Sequence, residues 1–216
     1  MKTFFYFIEY LIVKTFFFIF IIFGYKISSN FGYIIGKYFG PLFRSKKLII
    51  TNLKKANISL KQNYKSASSE ILGNYGRIFA EYPFIKKFRD GSLDKFIEID
   101  GSEFLREIKD KNKKVVFVSG HFNNFELMAM IIEKSGIDLS AIYRPLNNGF
   151  INKIMEEIRI KHICKKQIKK GRGGTRQIVE NLKKGSSIAL MIDQRVREGI
   201  KVNFFGYEAS TTTIPA

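Results

Sequence analysis

Hydrophobic and polar positions follow two regimes along this chain. Over residues 3–25 almost every position is apolar, and a helix of that length, rising about 1.5 Å per residue, matches the ~30 Å of a bilayer core. Glu9 and Lys14 interrupt the run five positions apart, so they are not a same-face helical pair. The uninterrupted part, residues 15–24, is too short to span alone. Hydropathy over the whole stretch places a membrane-crossing helix ahead of an in-plane one. A cleaved signal peptide fits less well, because charges lie inside the run and no A-x-A-like site follows. Only Lys2 precedes the segment, whereas Lys26, Lys37, Arg44, Lys46, Lys47, Lys54 and Lys55 follow it, which puts the body of the protein on the cytoplasmic side.

The next stretch, residues 24–40, sets glycines and a serine pair among aromatic residues and stops at Pro41, the pattern of an interfacial or re-entrant piece rather than a core helix. Ile71, Leu72, Tyr75, Ile78 and Phe79 then recur at helical spacing and predict an amphipathic helix over 66–82, closed by Pro83. From Phe96 the pattern alternates. Val115 to Val118 is a short buried strand, Gly120 breaks it, and Asn123 or Asn124 caps a helix running to about Lys134. A second strand over 138–143, helices over 150–161 and 175–184, and a strand over 187–192 follow, with Gly185 closing the last helix. This β-α-β-α-α-β order predicts an α/β fold, a largely parallel sheet covered by helices, with functional groups gathered beyond the carboxyl ends of the strands. His121 and Asp193 both lie at such ends. The organisation expected is a membrane anchor over 1–25, a helical membrane-proximal segment over 26–95 and an α/β domain over 96–216.

Composition narrows the partners. At 216 residues and 45% hydrophobic content, the chain holds one substantial core. A formal charge of +18 favours anionic lipid, nucleic acid or an acidic protein. No recognised nucleic-acid motif is present and the lysines are scattered, so a basic nucleic-acid-binding protein is the alternative of a different class. Twenty-two phenylalanines with no tryptophan, and abundant Ile, Lys and Asn, are the usage of an AT-rich genome, so part of the basic excess belongs to solvated faces. Cys164 is the single cysteine and allows no disulfide within the chain. His162 and Cys164 supply too few ligands for a zinc site, and no metal or other cofactor is expected. The sequence Gly171-Arg172-Gly173-Gly174 lacks phosphate-loop spacing and reads as a flexible basic loop.

Candidate chemistry concentrates in Ser119-Gly120-His121-Phe122-Asn123-Asn124-Phe125-Glu126. A histidine in the turn after a buried strand, with a carboxylate one helical turn on, can have one ring nitrogen held and the other left to take a proton. A short H-x4-E match alone has many chance occurrences. The wording His-Phe-Asn-Asn-Phe-Glu, however, resembles the His-Phe-Gly-Asn-Trp-Glu form of the lipid A biosynthesis (lauroyl/myristoyl) acyltransferase family. Tyr143-Arg144-Pro145 with Asn147 and Arg159, Leu182 to Gly185 leading to Asp193-Gln194, and Phe204-Phe205-Gly206 followed by Ala209, Thr211, Thr212, Pro215 and Ala216 resemble further blocks of that family in the same order.

The resemblance implies a glycerolipid-acyltransferase-like fold and transfer of a fatty acyl group from acyl carrier protein to a hydroxyl of a membrane glycolipid, a lipid A precursor, at the inner membrane. It assigns His121 as general base and Glu126 as the group orienting it. Arg144 and Arg159 would bind phosphate, since guanidinium forks match phosphate oxygens, and Asp193 and Gln194 would line the cleft. It also implies further strands and helices beyond Ala216, so a C-terminally incomplete domain is expected. Asn123 and Ile214 stand where the family more often has Gly. Other readings stay open beside this one: lysophosphatidate or a different glycolipid as acceptor, and an inactive truncated relative.

Overall fold

The parallel pattern is realised as a four-stranded sheet in the computed structural model, which describes residues 1–56, 63–193 and 199–211. The strands are β1 (Val116–Ser119), β2 (Leu139–Tyr143), β3 (Lys166–Lys169) and β4 (Ser187–Met191), in the order β1-β4-β2-β3, with every pairing parallel. Parallel neighbours need crossovers, and helices α7 (Glu126–Lys134), α8 (Gly149–Ile158) and α9 (Arg172–Lys183) supply them. The two central strands are the apolar ones: Leu139, Ile188, Ala189 and Leu190 are buried, as parallel strands covered on both faces should be.

Strand β3 is absent from the sequence-based expectation. Its four residues, Lys-Gln-Ile-Lys, bury only Ile168 and lie at the sheet edge, so their hydropathy resembles a loop. At the other edge, Val116 and Val118 of β1 are exposed.

The described residues cluster into two compact units. Those of Met1–Thr15 and Phe84–Gln194 form one, and those of Phe16–Pro83 and Arg195–Thr213 form the other. The first holds the sheet, α5 (Ile85–Arg89), α6 (Ser102–Asp110) and the beginning of α1 (Lys2–Phe23). Phe84, Ile85, Phe88, Met130, Ile163 and Ile168 are buried in it. Asn148 serves two elements there. Its Oδ1 accepts hydrogen bonds from the backbone N–H groups of Phe150 and Ile151, capping α8, while its Nδ2 donates to the Tyr6 carbonyl and to Glu9 Oε2 at 2.8 and 2.9 Å. One of the two charges in the apolar run is thereby satisfied by protein.

The second unit is built on α2 (Tyr25–Phe43) against α4 (Tyr64–Glu81), with α3 (Lys46–Lys55) and a hairpin of β5 (Ile200–Phe204) and β6 (Tyr207–Thr211). The expected break at Pro41 does not occur: α2 runs to Phe43 with the proline in its last turn. Helix α4 begins where Asn63 Oδ1 accepts from Ser66 N at 2.8 Å. Gly32 and Gly36 lie so close to α4 that a Cβ on Gly36 would stand 2.4 Å from the Leu72 carbonyl oxygen. The Phe204-Phe205-Gly206 block proves to be the hairpin turn, with φ of 52° at Phe205 and 79° at Gly206, the sign that a two-residue turn between twisted strands requires.

Candidate active site

Strand register builds the site. Ser119 pairs with Met191 across β1 and β4, so two residues past each partner, His121 and Asp193 leave the sheet side by side. The Asp193 carboxylate takes hold of His121 twice: the backbone N–H donates to Oδ2 at 2.7 Å, and ring Nδ1 lies 2.7 Å from Oδ1. Gly120 makes room for this, because a Cβ there would sit 3.2 Å from Asp193 Oδ2 and 2.9 Å from the Phe122 ring. Partial burial works to raise the Asp193 pKa, but the hydrogen bonds from His121 together outweigh it and leave the carboxyl below its usual range. The edge of the Phe125 ring system meets the imidazole at 73°, with centroids 4.7 Å apart.

The sequence expectation gave the ring-orienting role to Glu126; here the carboxylate at Nδ1 is that of Asp193. Glu126 is the first residue of α7 and is buried, and its Oε1 accepts from Arg159 Nε at 2.9 Å and Nη2 at 2.6 Å. Arg159 opens a π-helical turn (Arg159–Ile163) that follows α8, and its guanidinium lies 5.7 Å from the centre of the Tyr143 ring. The Tyr143 hydroxyl donates to Glu156; burial, followed by that carboxylate, pushes its pKa upward. Arg144, one residue past β2, is exposed and makes no ion pair among the described residues. A cavity of about 140 Å³ is lined by His121, Glu126, Tyr143, Arg144 and Arg159, with Met128, Ile142, Ile163 and Leu190 as its apolar walls.

Five of the six predicted site residues thus converge: His121, Glu126, Arg144 and Arg159 line one cavity, and Asp193 is bonded to its histidine. Gln194 lies outside the described residues. Asn123, where glycine was noted as the commoner residue, takes a φ of 40°. Asparagine is among the few side chains that enter the left-handed region readily, so the tight turn survives. Neither Asn123 nor Asn124 caps α7; the N-cap position is Phe125, with no side-chain cap. Among the described residues, no cluster of three or more His, Cys, Asp or Glu side chains is placed to hold a metal ion.

The model of the family described as bacterial lipid A biosynthesis acyltransferase matches residues 2–216. The chain belongs to that family. A search of curated proteins found no match. Family membership makes this an acyltransferase-family chain associated with lipid A biosynthesis, and its His121, Glu126, Arg144 and Arg159 side chains line one cavity. Cys164, the single cysteine, is buried, and burial pushes its thiol up to about 11. It is a packing residue that donates to the Leu139 carbonyl.

Proposed function

We propose that this protein moves a fatty acyl group from acyl carrier protein to a hydroxyl of a lipid A precursor, at the cytoplasmic face of the inner membrane, with His121 as general base. The observation that carries this reading is the 2.7 Å contact between His121 Nδ1 and Asp193 Oδ1. An ionised carboxylate only accepts, so Nδ1 carries the proton and Nε2 keeps the lone pair a base needs.

In this scheme the acceptor hydroxyl gives its proton to Nε2 as its oxygen attacks the thioester carbonyl. The tetrahedral intermediate collapses, the C–S bond breaks, and the thiolate of the carrier takes the proton back from Nε2. Asp193 supports the imidazolium between the two transfers. No acyl-enzyme forms. Glu126 is retained as a catalytic-site residue through Arg159, which it holds against the cavity wall; Arg144 and Arg159 supply positive charge for phosphate groups of carrier arm or lipid. At about 140 Å³ the cavity is well below the ~300–1,000 Å³ that encloses a drug-sized ligand, so it accommodates the reacting end rather than a whole chain. The basic surface suits an acidic carrier and anionic lipid, and α1 is the one helix among the described residues long and apolar enough to cross a membrane.

The test is transfer of a labelled acyl chain from acyl carrier protein in the presence of both lipid A precursor and lysophosphatidate, with products resolved by mass spectrometry. Acylated lipid A precursor is the expected product. Acylated lysophosphatidate alone would overturn the acceptor assignment, and free fatty acid alone would overturn transfer.

A further inference from the structure

Helix α2 is built inside out. Its small and polar residues Ser28, Ser29, Gly32 and Gly36 are buried, while Ile27, Phe31, Ile34, Tyr38 and Leu42 are exposed. At ~100° per residue those five lie within an arc of about 80°, on the face opposite the buried glycines. The buried face is committed within its own unit. Gly32 and Gly36 pack on Gly76 of α4 and Ser29 Oγ donates to Glu81 Oε1 at 2.6 Å, while on the flank Lys37 pairs with Glu70 at 2.8 Å. A helix in water arranges its faces the other way; small residues inward and large apolar residues outward is the arrangement of helices solvated by lipid.

Two further features fix the occupant. The stripe begins just after α1, which across Gly24 exposes Phe18, Ile21 and Ile22 in the same unit. It ends at a basic cluster, with Arg44, Lys47, Lys54 and Lys55 exposed, and no acidic residue stands between Glu9 and Glu70. Such a cluster complements anionic headgroups. With charged or polar Lys26, Asn30 and Lys37 along its flanks, α2 is not suited to crossing. We infer that α2 is a second membrane element, lying in the plane of an anionic leaflet with Ile27, Phe31, Ile34, Tyr38 and Leu42 immersed among the acyl chains.

The chain has no tryptophan, so Phe31→Trp, Ile34→Trp, Tyr38→Trp and the off-stripe Asn30→Trp each give the 216-residue chain one such fluorophore. The variants are reconstituted in phosphatidylethanolamine–phosphatidylglycerol vesicles, their helix content is matched by circular dichroism, and each is quenched by chain-brominated lipid and by aqueous acrylamide. Brominated lipid should quench positions 31, 34 and 38 several-fold more strongly than position 30, with acrylamide giving the reverse order. Acrylamide access at all four positions would overturn the inference. So would emission shielded from both quenchers, which would mark a second protein copy on the stripe, and so would depth that changes steadily along the chain, which would mark a crossing helix. Acyl transfer is not read, so the outcome is separate from the catalytic proposal.

Discussion

His121 and Asp193, 72 positions apart, meet because Ser119 and Met191 are register partners on adjacent parallel strands. If the pair acts as proposed, His121→Ala should lower turnover by on the order of 10²-fold. Asp193→Asn keeps size and a hydrogen bond while removing the charge that supports imidazolium, so it should also fall substantially. The double variant should be little worse than the poorer single one, because groups acting as a unit are not additive. Acyl-transfer rates at saturating donor and acceptor measure all three; effects that multiply would show two independent residues.

The same pair has an acid signature. The Asp193 pKa is lowered in the folded protein, so its contribution to stability is present above the unfolded Asp value, about 3.9, and lost as pH falls through the folded value. The stability difference between the wild type and Asp193→Asn should therefore shrink as pH drops below about 4. Denaturant unfolding at a series of pH values in detergent reads it, and a difference independent of pH would contradict the assignment.

Arg159 and Glu126 are a largely buried pair, with side chains 13% and 8% exposed. Removing one partner leaves a buried charge uncompensated, which costs roughly 3–5 kcal/mol, far more than removing both together with apolar replacements. Arg159→Met should thus destabilise strongly, and Glu126→Leu in the same chain should restore much of the loss. Unfolding midpoints of the two singles and the double test this. Equal losses in Arg159→Met and the double variant would rule out the coupling.

How much of this was legible beforehand depended on distance along the chain. The strand around Val116, the turn at Gly120 and helix α7 are local patterns, and they appear within a residue or two of expectation. His121 and Asp193 stood out because they follow strands, whereas Arg144 and Arg159 came only from the family resemblance. The partner of His121 was not, since a motif reads Glu126 five residues on, whereas the ring meets Asp193 through the β1–β4 pairing, and strand order is not written in hydropathy. Strand β3 was hidden by its lysines, and Asn148 and Gly120 carry roles that only close packing reveals. The glycines of α2 were visible but their meaning was not. They looked like an interruption until α4 was placed against them.

Cys164 gives a chemical probe of the α/β core. Its thiol is raised from 9.0 to about 11 by burial, so the neutral form is favoured; that contribution to stability is complete below the unfolded value and is lost as pH rises through the folded one. Alkylation by iodoacetamide should therefore be slow in the native protein near pH 8 and fast after denaturation, with native reactivity rising only as pH approaches 11. Rapid native labelling, followed by mass spectrometry, would show that the thiol is accessible.

The glycine seam between α2 and α4 offers the sharpest contest of two effects. Replacing a helical glycine with alanine gains about 0.8–1.0 kcal/mol in propensity where the new methyl has space. At Gly76 there is none: a Cβ would lie 2.1 Å from the Gly32 carbonyl oxygen, a backbone atom that cannot rotate away. Overpacking of that kind costs roughly 1–3 kcal/mol or more, so the sign should reverse and Gly76→Ala should destabilise. Gly173, inside α9, has nothing within 4 Å of its added Cβ and serves as the control in which alanine should stabilise. Thermal unfolding of both variants beside the wild type, in one detergent, decides the matter. If Gly76→Ala melts at or above the wild-type temperature, α2 and α4 are not in the close contact described, and the inward commitment of the α2 glycines, on which the outward stripe depends, fails with it.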